Sequence, residues 1–84
     1  MTQFCIQVIN PNTSPEMTHT IASAARSVAA PGTTILASCP TQGVASIEGH
    51  FDEAIAAIGV LEQIKKGMAQ GAQGHVIACF GRSE

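Results

Sequence analysis

The chain has no tryptophan and no tyrosine, and its three aromatic residues are all phenylalanine. Flat rings on which bases or sugars could stack are therefore in short supply, which argues against a single-strand nucleic-acid platform. Charge is also scarce. Only 12% of residues are charged, with four Lys or Arg against six Asp or Glu, a formal net charge of −2 and a pI near 5.8. A nucleic-acid or anionic-membrane partner needs the opposite balance. No run approaches the ~20 apolar residues of a membrane span. Met1-Thr2-Gln3 lacks the basic start of a signal peptide. The three cysteines are an odd number without C-x-x-C spacing. That excludes a simple disulfide framework and a zinc knuckle, and points to reduced thiols in a cytoplasmic protein. The three histidines are scattered, and no two ligand-type residues share a helix face or tight turn, so no metal is expected.

What remains is a globular composition, 45% hydrophobic, in 84 residues. This length allows one domain, 1–84, with a thin core; a chain of this size buries only ~60–65% of its unfolded surface.

The order of elements is legible. Phe4–Ile9 reads as a buried strand, apolar and β-branched. Asn10-Pro11-Asn12-Thr13-Ser14-Pro15 is dense in turn formers, and Ser14 then Pro15 reads as the N-cap and first residue of a helix. Met17, Ile21, Ala24 and Val28 predict its apolar stripe, and Pro31-Gly32 its end. Thr33–Cys39 is a second strand, stopped by Pro40. A long helix starts between Ser46 and Phe51, its stripe predicted at Ile47, Phe51, Ile55, Ile58, Leu61, Ile64 and Met68. Asp52 and Glu53 near its start and Lys65 and Lys66 near its end suit the helix dipole. Glycines at 67, 71 and 74 lead into a third strand, His75–Gly81.

A β-α-β-α-β order implies an α/β fold: a three-layer parallel sheet in flavodoxin-like order 2-1-3. Ligands of such sheets bind at the carboxyl ends of the strands, at the switch point between strands one and three. That places the 10–14 loop beside Cys79, with Cys39 one strand further out. The backbone N–H groups of a polar loop at a helix start can receive an oxyanion. A thiol facing a helix start has its pKa lowered towards neutrality and can then take and return a proton. Cys5, inside strand one, reads as a small core residue. His50 and His75, at element starts, read as caps or surface residues. The third strand is an edge without charge, proline or bulge to protect it, which suggests a missing neighbour or self-association through that edge.

The motifs Val8-Ile9-Asn10-Pro11-Asn12-Thr13-Ser14, Ser46-Ile47-Glu48-Gly49-His50 and Ala78-Cys79-Phe80-Gly81 together resemble the aspartate/glutamate/hydantoin racemase superfamily, nearest its hydantoin and allantoin branch, over residues 6–81. The resemblance implies a cofactor-independent racemase of a hydantoin-type ring or amino-acid derivative. Two similar α/β domains would each offer one cysteine to a cleft, one removing the α-hydrogen and the other protonating the opposite face. Cys79 matches the first cysteine. Asn10, Pro11 and Ser14 match the pocket loop, and the backbone donors of Phe80 and Gly81 would hold the carbonyl oxygen. The family usually continues Asp-Pro-Gly where this chain reads Arg82-Ser83-Glu84. The expectation is therefore an incomplete N-terminal domain, with little racemase activity of its own. Two other readings stand beside it: a small flavodoxin-like phosphate- or ligand-binding module without catalysis, and a non-catalytic remnant that survives by pairing.

Overall fold

The computed structural model describes residues 3–43 and 47–78. Five elements follow one another: β1 (Phe4–Ile9), α1 (Pro15–Val28), β2 (Thr33–Ser38), α2 (His50–Ala69) and β3 (Gly74–Ile77). The strands form one parallel sheet in the order β2-β1-β3, as the alternation of elements predicts. Phe4 registers against Thr33 at one end of the β1–β2 pair and Ile9 against Ser38 at the other. On the other side Ile6 lies against Gly74 and Ile9 against Ile77.

Each turn has a local cause. The Ser14 side chain accepts a hydrogen bond from the Met17 N–H at 3.1 Å, and Pro15 opens α1, where its missing N–H costs nothing. Between α1 and β2, Thr33 N–H donates to Ala30 O at 3.0 Å across Pro31-Gly32, and Gly32 has φ +88°. Proline followed by a positive-φ glycine is the pairing a type II turn demands. Helix α2 ends in a Schellman motif: Ala72 N–H donates to Gly67 O at 2.9 Å and Gly71 N–H to Met68 O at 3.1 Å, with Gly71 at φ +98°.

The helices cover opposite faces of the sheet. Gln7 of β1 meets α2, whereas Ala37 and Cys39 line an open groove beneath α1 with Thr18, His19, Ala22 and Arg26. Alternation along the strands separates those two sets. The core centres on Val8, Ile9, Ala22, Ala56 and Val60.

Both helices differ from the predicted stripes. In α1, Met17 and Val28 are exposed and Ala22 is buried, flanked by half-buried Thr18, Ile21 and Ala25. The buried side of α2 is Ala56, Gly59, Val60, Gln63 and Gly67, while Phe51, Ile58, Leu61 and Met68 lie open. The reason is distance of approach. A Cβ on Gly59 would sit 2.9 Å from Pro40 Cγ and one on Gly67 would meet Gln7, so the helix rides low at these two points and only glycine fits there.

The other differences are smaller. Strand β2 ends one residue early, at Ser38, and β3 begins at Gly74, one residue before the predicted start. Among the described residues no helix is long and apolar enough to cross a membrane.

Candidate functional site at the carboxyl edge of the sheet

The carboxyl ends of the three strands meet at two main-chain hydrogen bonds. Asn10 N–H donates to Ser38 O at 2.9 Å, and Ala78 N–H donates to Ile9 O at 2.8 Å. The first ties the exit of β1 to the end of β2. The second brings the chain leaving β3 alongside the residue that precedes Asn10. The loop 10–14 and the end of β3 are thus neighbours, as the 2-1-3 order requires. Cys79, Phe80 and Gly81 lie outside the described residues.

The loop is built around the Asn10 carboxamide, which is 1% exposed. Its Oδ1 accepts from Asn12 N–H at 3.2 Å. Its Nδ2 faces three acceptors: Asn12 Oδ1 at 2.8 Å, Thr18 Oγ1 at 3.0 Å and Ser14 O at 3.2 Å. Asn12 Oδ1 in turn accepts from Ser14 N–H at 2.9 Å, and the Thr18 hydroxyl donates to Ser14 O at 2.8 Å. These bonds close the loop on itself before α1 begins. Pro11 is buried beside them and Ser14 is half-buried as the helix cap.

The side chains of Asn10, Asn12 and Ser14 are therefore committed to the shape of this loop. The N–H groups of Asn10, Asn12, Ser14 and Met17 are taken by acceptors within the fold, so what is left to favour an incoming oxyanion is chiefly the dipole of the helix start. Asn10 contributes by fixing the loop that leads to it.

A second polar cluster lies under α2. Gln7, 1% exposed, donates from Nε2 to Gln63 O at 2.7 Å and to Ser38 Oγ at 3.1 Å. His75 Nδ1 lies 2.6 Å from Gln7 Oε1. His75 is half-buried and bonded, which corrects the surface or capping role expected from its position at a strand start. The buried strand is where that histidine found its acceptor. One signal in the sequence pointed here: Gln7 is the sole polar side chain with a carboxamide in an otherwise apolar strand. Its partners come from β2, α2 and β3, a convergence that spacing along the chain does not display.

His50 opens α2 fully exposed, 3.3 Å from Glu53. Cys5 and Cys39 are free thiols, both half-buried, Cys5 within β1 and Cys39 at the end of β2 in the groove beneath α1. Among the described residues, no group of three or more His, Cys, Asp or Glu side chains stands together.

A family described as Asp/Glu/Hydantoin racemase matches residues 6–83. A hydantoin racemase from Pseudomonas sp. (strain NS671) is 50% identical over 76 residues, which are 90% of this chain and 30% of that protein. One from Paenarthrobacter aurescens is 46% identical over 77 residues, 90% of this chain and 33% of its own length. Among solved structures, an allantoin racemase from Klebsiella pneumoniae superposes with a TM-score of 0.90 at 72% identity, over 93% of this chain and 32% of that one. An allantoin racemase from Pseudomonas fluorescens gives 0.85 at 39% identity, over 95% and 34%. The chain spans about a third of the length of the relatives it matches.

Proposed function

The chain belongs to the Asp/Glu/hydantoin racemase family, and on that footing we propose that it supplies one acid/base thiol, Cys79, of a cofactor-independent racemase acting on a hydantoin-type ring or a related amino-acid derivative. The observation that carries this reading is the junction at the carboxyl edge. Ala78, next in the chain to Cys79, is bonded to the residue that enters the Asn10–Ser14 loop. A thiol delivered there stands across from a helix start.

The chemistry follows from the substrate class. A carbon between a ring carbonyl and a ring nitrogen is acidified, because the charge left by its proton moves onto the carbonyl oxygen. That oxygen needs donors in place before the proton leaves. The main-chain N–H groups of Phe80 and Gly81 take this role, and Asn10, Pro11 and Ser14 shape the wall opposite. The thiolate of Cys79 removes the α-proton from one face. Inversion then requires a second acid on the other face, and the rest of a chain three times as long is where its cysteine belongs. The 84 residues alone hold half of such a site and are expected to leave an enantiopure substrate unchanged.

Cys5 and Cys39, free and half-buried, suit a reducing cytoplasmic setting. The outer edge of β3, with Val76 51% and Ile77 50% exposed, supports self-association when nothing else covers it.

A chimera tests the reading. This chain replaces the matching third of the Klebsiella pneumoniae allantoin racemase, where 72% identity makes the graft conservative. The chimera is expected to racemise allantoin, followed by loss of optical activity, and Cys79→Ser is expected to remove that activity. A Cys79→Ser chimera as active as its parent would end the proposal.

A further inference from the structure

Strand β3 is four residues long and pairs with β1. The register of such a strand is normally dictated by which of its residues must face the core, because a slip of one residue turns every side chain to the other face. The residues of β3 carry no such instruction. Val76 and Ile77 point to opposite faces and are 51% and 50% exposed, so neither face claims the apolar set. Gly74 has no side chain. Gln73, at the strand entry, bonds among the described residues only to main-chain N–H and C=O of Cys5, groups that recur at each residue of β1.

His75 is the exception. It registers directly against Gln7, and its Nδ1 lies 2.6 Å from Gln7 Oε1. The orientation of that carboxamide is fixed from behind. Gln63 O can only accept, so the atom 2.7 Å from it is the Nε2 donor, and Oε1 is the atom turned towards His75. His75 Nδ1 must then carry the proton. The Ser38 hydroxyl, 3.1 Å from Nε2, holds the same amide from β2, and the space beneath it is closed by Gly67 of α2. Shifted by one residue, β3 would set Gly74 or Val76 against Gln7 and leave a buried carbonyl oxygen without a donor, which is costly.

We propose that the Gln7–His75 hydrogen bond is the register lock of β3, and that Gln7 and His75 are thereby positioning residues for the thiol at Cys79. The second clause rests on the role given to Cys79 above. Cys79 follows Ile77 by two residues, so a slip in β3 shifts along β1 the stretch of chain that leads to that thiol.

The test uses the 84-residue chain, isotopically labelled, and two variants. His75→Leu removes the donor. His75→Asn keeps one, because Asn Nδ2 stands where His Nδ1 stood, one bond from Cγ. Wild type and His75→Asn are expected to show one set of cross-strand NOEs, Val8 to Val76 and Ile9 to Ile77, and equal rates of Cys79 alkylation by iodoacetamide. His75→Leu is expected to show a second set displaced by one residue, and a Cys79 rate altered on the order of fivefold while that of Cys39 holds, since thiol reactivity follows surroundings. A single native register and an unchanged Cys79 rate in His75→Leu would overturn the lock, as would His75→Asn behaving like His75→Leu.

The wild-type chain adds a measurement that no folding failure can spoil. Neutral His75 is expected as the Nδ1–H tautomer in long-range proton–nitrogen spectra, and the Nε2–H tautomer overturns the assignment. An inactive chimera would sink the role of Cys79 and leave these spectra standing. A register indifferent to His75 would sink the lock and leave the chimera active.

Discussion

The Gln7 carboxamide fills the space that a side chain at Gly67 would need. A Cβ built on Gly67 would stand 2.7 Å from Gln7 Nε2 and closer still to the rest of the amide. Gln7 cannot swing aside, since Gln63 O, Ser38 Oγ and His75 Nδ1 hold it. Two effects therefore oppose each other in Gly67→Ala. Helix propensity favours alanine by about 1 kcal/mol. Overpacking against a pinned, buried amide costs about 1–3 kcal/mol and breaks bonds besides. We expect the clash to win and the urea midpoint to fall. Gly74→Ala is the control, because a Cβ there meets nothing within 4 Å; its midpoint should hold or rise slightly. A Gly67→Ala chain at least as stable as wild type would show that Gln7 is not fixed.

The loop makes a second, graded prediction. Asn10→Ala deletes the hub that bonds Asn12, Ser14 and Thr18, and leaves the N–H of buried Asn12 without its acceptor. We expect a loss of about 2–3 kcal/mol. Ser14→Ala removes one capping bond, to Met17 N–H, for about 1 kcal/mol. Chemical unfolding of both variants should give that order. Equal losses, or the reverse, would mean that the helix cap rather than the Asn10 hub holds the loop.

Self-association through β3 is open to sedimentation velocity. Lysine at Val76 places a charge on an edge that now carries none, without removing a main-chain bond to β1. Wild type is expected to show weight-average mass rising with concentration, and Val76→Lys a flat monomeric value. Equal behaviour of the two chains would move any contact elsewhere, towards the exposed Phe51, Ile58 and Leu61 of α2.

The sequence displayed the strands and the helix starts, because each rests on local chemistry, and the 2-1-3 order follows from their alternation and the handedness of crossovers. Ser14-Pro15 announces a helix wherever it lies, and Pro31-Gly32 a turn. The faces of the helices were less visible. Hydropathy ranks Phe51, Ile58 and Met68 above Gly59 and Gly67, yet the close seat of α2 on Pro40 and Gln7 admits only the glycines. Intimate packing selects for smallness, and a count of apolar residues does not register it. The same limit hid the Gln7 cluster, whose members are up to 68 positions apart in the chain. At the site, the polar letters of Asn10–Ser14 suggest a ligand surface, and the wiring through Asn10 and Thr18 is visible only in three dimensions.

Cys79 as one of two opposed acid/base groups is tested most directly by solvent exchange in the chimera. Each enantiomer of allantoin is incubated in heavy water, and deuterium at the α-carbon is followed separately from optical inversion. The two-thiol account predicts that the parent chimera labels both enantiomers. With Cys79→Ser, inversion should fall by at least about a thousandfold, on the scale of a lost acid/base group, while the remaining thiol labels one enantiomer alone and returns it uninverted. Labelling of both enantiomers at the parental rate in Cys79→Ser would contradict it.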